Sequence, residues 1–204
     1  FSDIKLSKEI KNQRKYYLEN LYDLLDLIVK SKVDNDFRFP INENVKQSLK
    51  QIFKKNQNYV GIAPGAGEKN KVWPIQNYIE ICRYLEAKDC KLIFYLGPNE
   101  KEYEEILKSN FKRAIFLENE LLLRKYTNIE IIMASTKFLK FAISNDSGVS
   151  HMLSTNYCPL IKLFGPKDSK KFTPKIKNLI TISSSEVNSD RVEDIKVSRV
   201  IKTI

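Results

Sequence analysis

Ser144-Asn145-Asp146-Ser147-Gly148-Val149-Ser150-His151 follows the apolar run Phe141-Ala142-Ile143 and precedes a short helical pattern. That order predicts a turn where a buried strand feeds a helix. In open α/β sheets such a turn lies at the carboxyl end of a parallel strand, where ligands bind. Asp146 offers a carboxylate that can accept hydrogen bonds from sugar hydroxyls, and Ser147 adds a hydroxyl. Gly148 lets a ligand approach the backbone, and the N–H groups opening the helix favour a phosphate. His151, three residues into that helix, is the only histidine of the chain. Taken alone, the octapeptide is also ordinary turn and N-cap chemistry, and a lone histidine is more often packed or solvated than functional.

Outward from this stretch, the chain divides into two parts. Lys8 to Lys32 reads as a helix whose residues Tyr17, Leu21, Leu24, Leu25 and Ile28 form one apolar stripe. A polar connection, Asp34 to Pro40, leads to a second helix, Asn44 to Lys54. From Asn58 onward strands and helices alternate. The predicted strands are Tyr59–Ala63, Lys91–Leu96, Ala114–Leu117, Phe141–Ser144, Leu160–Phe164 and Leu179–Ser183. The predicted helices between and after them are Ile75–Ala87, Lys101–Ser109, Asn128–Phe138 and Arg191–Lys202. This order implies an α/β fold with a Rossmann-like, doubly wound parallel sheet, preceded by a helical segment. We place the division at residues 1–55 and 56–204.

Length and composition bound the function. At 204 residues and 42% hydrophobic the chain can bury a core. It contains no run of the roughly 18 to 20 apolar residues that would span a bilayer. Cys82, Cys90 and Cys158 show no metal-ligand spacing and read as reduced thiols, which fits the cytoplasm. The net charge of +10 raises the question of nucleic acid, but the basic residues are interleaved with 25 acids and form no stripe beside stacking aromatics. Nucleic acid is therefore not an expected partner. Attraction to anionic phosphates, on a ligand or a lipid surface, remains as a reading of the charge.

Four loops follow strands and carry glycine: Pro64-Gly65-Ala66-Gly67, Gly97-Pro98-Asn99-Glu100, Asn145-Asp146-Ser147-Gly148 and Gly165-Pro166-Lys167-Asp168. Their convergence on one sheet edge gives a nucleotide-binding layout. They contain neither a dinucleotide fingerprint nor a Walker A loop. In the first loop Trp73 and Pro74 lead into the next helix, and Lys71 sits above the strand ends, where it can neutralise a diphosphate. From composition alone Lys71 is one of many solvated lysines.

Taken together, Pro64-Gly65-Ala66 with Lys71-Val72-Trp73-Pro74, then Gly97-Pro98-Asn99-Glu100, then Asn145 to His151, then Leu163-Phe164-Gly165-Pro166-Lys167-Asp168 resemble the bacterial heptosyltransferases, glycosyltransferase family 9. The resemblance covers residues 58 to 185. It implies the donor half of a GT-B enzyme, in which two Rossmann-like domains face a cleft, and it identifies residues 1–55 as a remnant of the acceptor domain or an inter-domain bridge. The implied activity is inverting transfer of a sugar, heptose from ADP-heptose, to a lipopolysaccharide core or related surface glycan. The alternatives are a different nucleotide-sugar donor or a non-catalytic nucleotide-sugar-binding fragment.

Residue roles follow from the same resemblance. Lys71 matches the cation that steadies the leaving nucleotide diphosphate. Asp146 matches the carboxylate on the sugar hydroxyls, and Gly65, Ala66, Gly67, Ser147, Gly148 and His151 match positions around the phosphates. Glu100 matches an acid on the ribose, and Thr127 and Asn128 fall where the family lines the base. The catalytic base is expected from the acceptor domain of the same protein, and no residue here matches it. No metal or cofactor is implied. The implied partners are the nucleotide-sugar donor and a glycolipid or glycan acceptor, at the inner face of the cytoplasmic membrane. The chain departs from the family at Gly67-Glu68 and at Lys167, which adds a cation, and Phe172-Thr173-Pro174 matches poorly.

Overall fold

The computed structural model describes residues 40–156, 158–173 and 178–204. The expected Lys8–Lys32 helix and its apolar stripe lie outside the described residues. Helix α1, Glu43–Ile52, is capped by the Asn42 side chain, which accepts a hydrogen bond from the Asn44 N–H at 3.0 Å. Then follow β1 (Asn58–Ala63), α2 (Ile75–Ala87), β2 (Cys90–Phe94), α3 (Lys101–Asn110) and β3 (Ile115–Phe116). The second run comprises α4 (Asn128–Ser135), β4 (Leu139–Asn145), α5 (Gly148–Ser154), β5 (Leu160–Phe164), α6 (Ser169–Phe172), β6 (Leu179–Ser183) and α7 (Val197–Ile201).

The six strands form one sheet in the order β3-β2-β1-β4-β5-β6, and every pairing is parallel. The order reverses between β1 and β4. At such a switch point the connections leave in opposite directions and open a crevice beyond the strand ends. The expected doubly wound sheet is thereby found.

Alternation along the strands builds two core layers. Val60, Ile62, Leu92, Phe94, Ile143 and Leu163 meet Tyr78, Ile81, Cys82 and Leu85 of α2 and Val200 of α7. Those α2 positions recur at helical spacing, so one stripe faces the sheet. On the other face Tyr59, Ala63, Ile93, Ala142 and Leu160 meet Val45 and Leu49 of α1, Ile131 and Ala134 of α4, and Leu153 of α5. Burying each large aliphatic side chain contributes about 1.5–3 kcal/mol before entropy is counted. All three cysteines are buried and free.

Two expected elements differ. The Arg191–Lys202 helix is broken into a 3₁₀ turn, Val192–Asp194, and α7, with Ile195 extended between them. The Trp73 indole N–H donates to the Ile195 carbonyl at 2.9 Å, which ties this extended residue to the end of the β1–α2 connection. The expected Asn128–Phe138 helix ends as α-helix at Ser135, where the Ser135 and Thr136 hydroxyls donate back to the Ile132 and Met133 carbonyls at 2.7 and 2.6 Å. Such back-bonding competes with the helix ladder, and the chain tightens into a 3₁₀ turn before β4 begins at Leu139.

Candidate functional site

The crevice at the switch point is held by a residue that the sequence presents as part of the turn. Asn145 is the last residue of β4 and is fully buried. Its Oδ1 accepts from the Trp73 N–H at 3.2 Å and the Tyr78 hydroxyl at 3.0 Å, and its Nδ2 donates to the Pro64 carbonyl at 2.6 Å. One side chain thus ties the end of β4 to both ends of the β1–α2 connection. Trp73, buried edge-on against Tyr78, closes the same joint.

Next to it, Asp146 leaves the strand with its N–H bonded to the Leu163 carbonyl at 3.0 Å. Ser147 caps α5 through a reciprocal box with Ser150. Gly65, Ala66, Gly67, Glu100, Ser147 and Gly148 line one open cleft of about 220 Å³, with Tyr95 and Met152 in its wall. A Cβ at Gly67 or Gly148 would meet nothing within 4 Å, so both backbones are open to a ligand. Gly65 and Gly97 differ: the space a Cβ would take is filled by the Glu100 carboxylate, which accepts from the Gly97 N–H. The fourth loop's Gly165 packs against Val192 and leaves no access.

Beside the cleft lies a charged group. Lys71 Nζ is 3.8 Å from Asp146 Oδ2 and 2.6 Å from Glu68 Oε1, and Lys167 Nζ is 4.0 Å from Glu68 Oε2. The Lys71 ammonium holds the Glu68 carboxyl below its ordinary value. Lys162, in the middle of β5, is 1% exposed and sits 2.7 Å from Asp146 Oδ1, with its ammonium over the Phe164 ring at 4.8 Å. Burial pushes the Lys162 pKa down, and Asp146 opposes that shift. His151, on α5, has its pKa lowered by desolvation and by the Lys162 charge, so its imidazole favours the neutral form at pH 7.

Thr127 and Asn128 stand apart from this group. The Thr127 hydroxyl and N–H are both engaged with the Glu130 carboxylate in the cap of α4. Asn128 lines a smaller recess with Tyr95, Leu96, Leu117 and Glu118, and Tyr95 is a wall of both hollows. A larger hollow of about 300 Å³, between the end of β6 and α7, contains none of the expected site residues. Lys162 and the clasp role of Asn145 are what sequence reasoning missed; the available signal was one charge inside the apolar run Leu160–Phe164.

Known proteins resemble this chain in sequence and in fold. The chain is 27% identical over 183 residues to the lipopolysaccharide heptosyltransferase 1 of Campylobacter coli, covering 87% of this chain and 52% of that protein. It is 28% identical over 122 residues to lipopolysaccharide heptosyltransferase 2 of Salmonella typhimurium, 58% of this chain and 34% of that protein. The chain thus spans about half the length of the first of these relatives, and less of the second. Among solved structures, a glycosyltransferase family 9 protein from Veillonella parvula superposes with a TM-score of 0.78 at 16% identity, covering 94% of this chain and 59% of that one. Heptosyltransferase WaaC of Escherichia coli with ADP gives 0.69 at 16% identity, covering 94% and 56%. The model of glycosyltransferase family 9 (heptosyltransferase) matches residues 5–199. A parallel sheet with its switch point at β1 and β4, the loops gathered there, and a family match over nearly the whole chain agree: this chain belongs to glycosyltransferase family 9, the heptosyltransferases.

Proposed function

We propose that residues 56–204 form the donor-binding half of a heptosyltransferase that takes heptose from ADP-heptose and transfers it, with inversion, to a lipopolysaccharide core acceptor. The observation that carries this reading is the convergence of Lys71 and Asp146, 3.8 Å apart, beside a cleft lined by the Gly65–Gly67 and Ser147–Gly148 backbones. A Campylobacter coli relative is a lipopolysaccharide heptosyltransferase, and a similarly folded Escherichia coli protein was solved with ADP-2-deoxy-2-fluoro heptose.

In the proposed reaction the acceptor hydroxyl oxygen bonds to the anomeric carbon while the bond from that carbon to the diphosphate oxygen breaks, and the nucleotide diphosphate leaves. Negative charge grows on the departing oxygen, and a cation fixed next to it stabilises the transition state more than the ground state. Lys71 occupies that place. Asp146 holds the sugar hydroxyls, and Ser147 and Gly148 meet the phosphates. Lysines do the work of a metal ion, so binding proceeds in EDTA. The base, which takes the proton of the acceptor hydroxyl, and the acceptor site belong to the companion domain, of which residues 1–55 are a remnant or to which they form the bridge.

Titration calorimetry with ADP-, UDP- and GDP-linked sugars, in EDTA and then with Mg²⁺, tests the reading. The expected result is saturable, metal-independent binding of ADP-heptose that Lys71→Ala and Asp146→Ala each weaken by roughly tenfold or more. A folded chain that binds no nucleotide sugar, or variants that bind as well as the parent, would overturn it. Preference for a UDP- or GDP-linked sugar would keep the site and change the donor.

A further inference from the structure

Asp146 and Lys162 form the most enclosed ion pair among the described residues: the lysine side chain is 2% exposed and the aspartate 11%. The lysine stands on β5, directly beside β4, one of the two strands that define the crevice, and its register partners are Ser144 and Thr181. Its ammonium is too deeply covered to serve a ligand directly. What it reaches is one oxygen, Asp146 Oδ1 at 2.7 Å. The other oxygen, Oδ2, is left toward Lys71 at 3.8 Å. The two oxygens of one carboxylate are therefore assigned differently, one to the interior and one to the cleft. The other charged groups within electrostatic reach of Asp146 are Glu68, from the same connection as Lys71, and His151, from α5.

We propose that Lys162 is a positioning residue for the sugar end of the donor: it pins Asp146 Oδ1 from inside the sheet and thereby keeps Oδ2 aimed at the ligand hydroxyls. The inference rests on the donor reading given above. A purely structural pair would be a poor use of the position, because a buried ion pair replaced by apolar residues of similar volume often leaves a fold as stable or more so. Rotation of a carboxylate at a strand end is restrained mainly by what it bonds. Here the ion-pair partner comes from a strand buried on both faces. Lys71, whose side chain is 17% exposed against 2% for Lys162, holds the diphosphate, so the two ends of the donor depend on different lysines.

That division supplies the test. Titration calorimetry compares ADP-heptose with ADP on the parent chain, Lys162→Met, Asp146→Asn and the double variant. Lys162→Met should weaken ADP-heptose roughly tenfold while moving ADP by less than about twofold, since only the sugar is read through Asp146. In the Asp146→Asn background, adding Lys162→Met should change neither affinity. A parallel loss of ADP and ADP-heptose, or an unchanged ADP-heptose affinity, would overturn the proposal and leave the donor site standing. If the folded parent binds neither ligand, the donor reading fails and this inference with it. Should Lys162→Met not fold, Lys162→Gln replaces it. Urea unfolding adds a second check: the double variant should be more stable than Asp146→Asn, and a double variant less stable than both singles would show that the residues do not act as a unit.

Discussion

Two ionisable groups of the same sheet layer, one buried and one half-buried, meet the same burial penalty with different partners. Lys162 Nζ lies 2.7 Å from Asp146 Oδ1 as an ion pair without hydrogen-bond geometry, and this counter-charge opposes the downward shift that burial gives the lysine. Glu118, in the recess beside Tyr95 and Asn128, has its Oε1 buried with no hydrogen-bond partner, and burial pushes its carboxyl up to about 7. The lysine has a counter-charge in contact, where a phosphorylated sugar is proposed to bind. The glutamate is half-protonated near pH 7, beside the region proposed to face the base. Burial works against both charges, and a counter-ion in contact offsets it at the lysine.

Removing the partner should make the first site behave like the second. Asp146→Asn strands the Lys162 ammonium, and breaking a buried pair from one side typically costs about 3 kcal/mol or more. Urea unfolding at pH 7 measures the loss, and a loss under about 1 kcal/mol would mean the ammonium finds water or another acceptor.

Glu118 gives the next effect. Below its ordinary value of 4.5 the carboxyl is protonated in both folded and unfolded chains, whereas between 4.5 and about 7 unfolding releases its proton. Stability should therefore fall as pH rises through that window, by about 2 kcal/mol after discounting for partial exposure. Glu118→Gln should remove this slope, seen as the difference between the two proteins' unfolding free energies across the window. Parallel pH profiles would place water at the carboxyl.

The smallest change sharpens the contrast between open and occupied backbone. Gly148 begins α5, has no atom within 4 Å of a Cβ position and does not use a positive φ. Gly148→Ala should leave stability unchanged or raise it by less than about 1 kcal/mol. It should nevertheless weaken nucleotide-sugar binding in the same calorimetric titration, because a methyl group would stand where the ligand is proposed to approach. Unchanged binding would move the phosphates away from this backbone.

Most of the fold was legible because its signals are local. The bounds of Ile75–Ala87, Leu160–Phe164 and Leu179–Ser183 agree between sequence and structure. Helical spacing under α2 and short apolar runs bounded by turn residues carry that information within a few residues. The gathering of Gly65, Ala66, Gly67, Glu100, Ser147 and Gly148 on one cleft was legible too, since loops after parallel strands share an edge. The roles of Asn145 and Lys162 were not. Asn145 bonds to residues 67 to 81 positions away, and its polar type also suits a turn. Lys162 looks like a stray lysine in an apolar strand until β4 and β5 are paired, because only their register sets it beside Ser144 and within reach of Asp146. Gly165 misled in the other direction: it follows a strand as the other loop glycines do, yet it serves the packing of Val192.

The bond from the Trp73 indole to the Ile195 carbonyl spans 122 residues and has an optical consequence. Trp73 is the only tryptophan of the chain, it is wholly enclosed, and it stands two positions from Lys71. On excitation beyond the tyrosine band, the emission of this chain therefore comes from a single indole mounted between the Gly65–Lys71 loop and the C-terminal segment. Release of that segment would free the indole N–H to water, so local loosening beside the Gly65–Lys71 loop is expected as a colour change that requires no label.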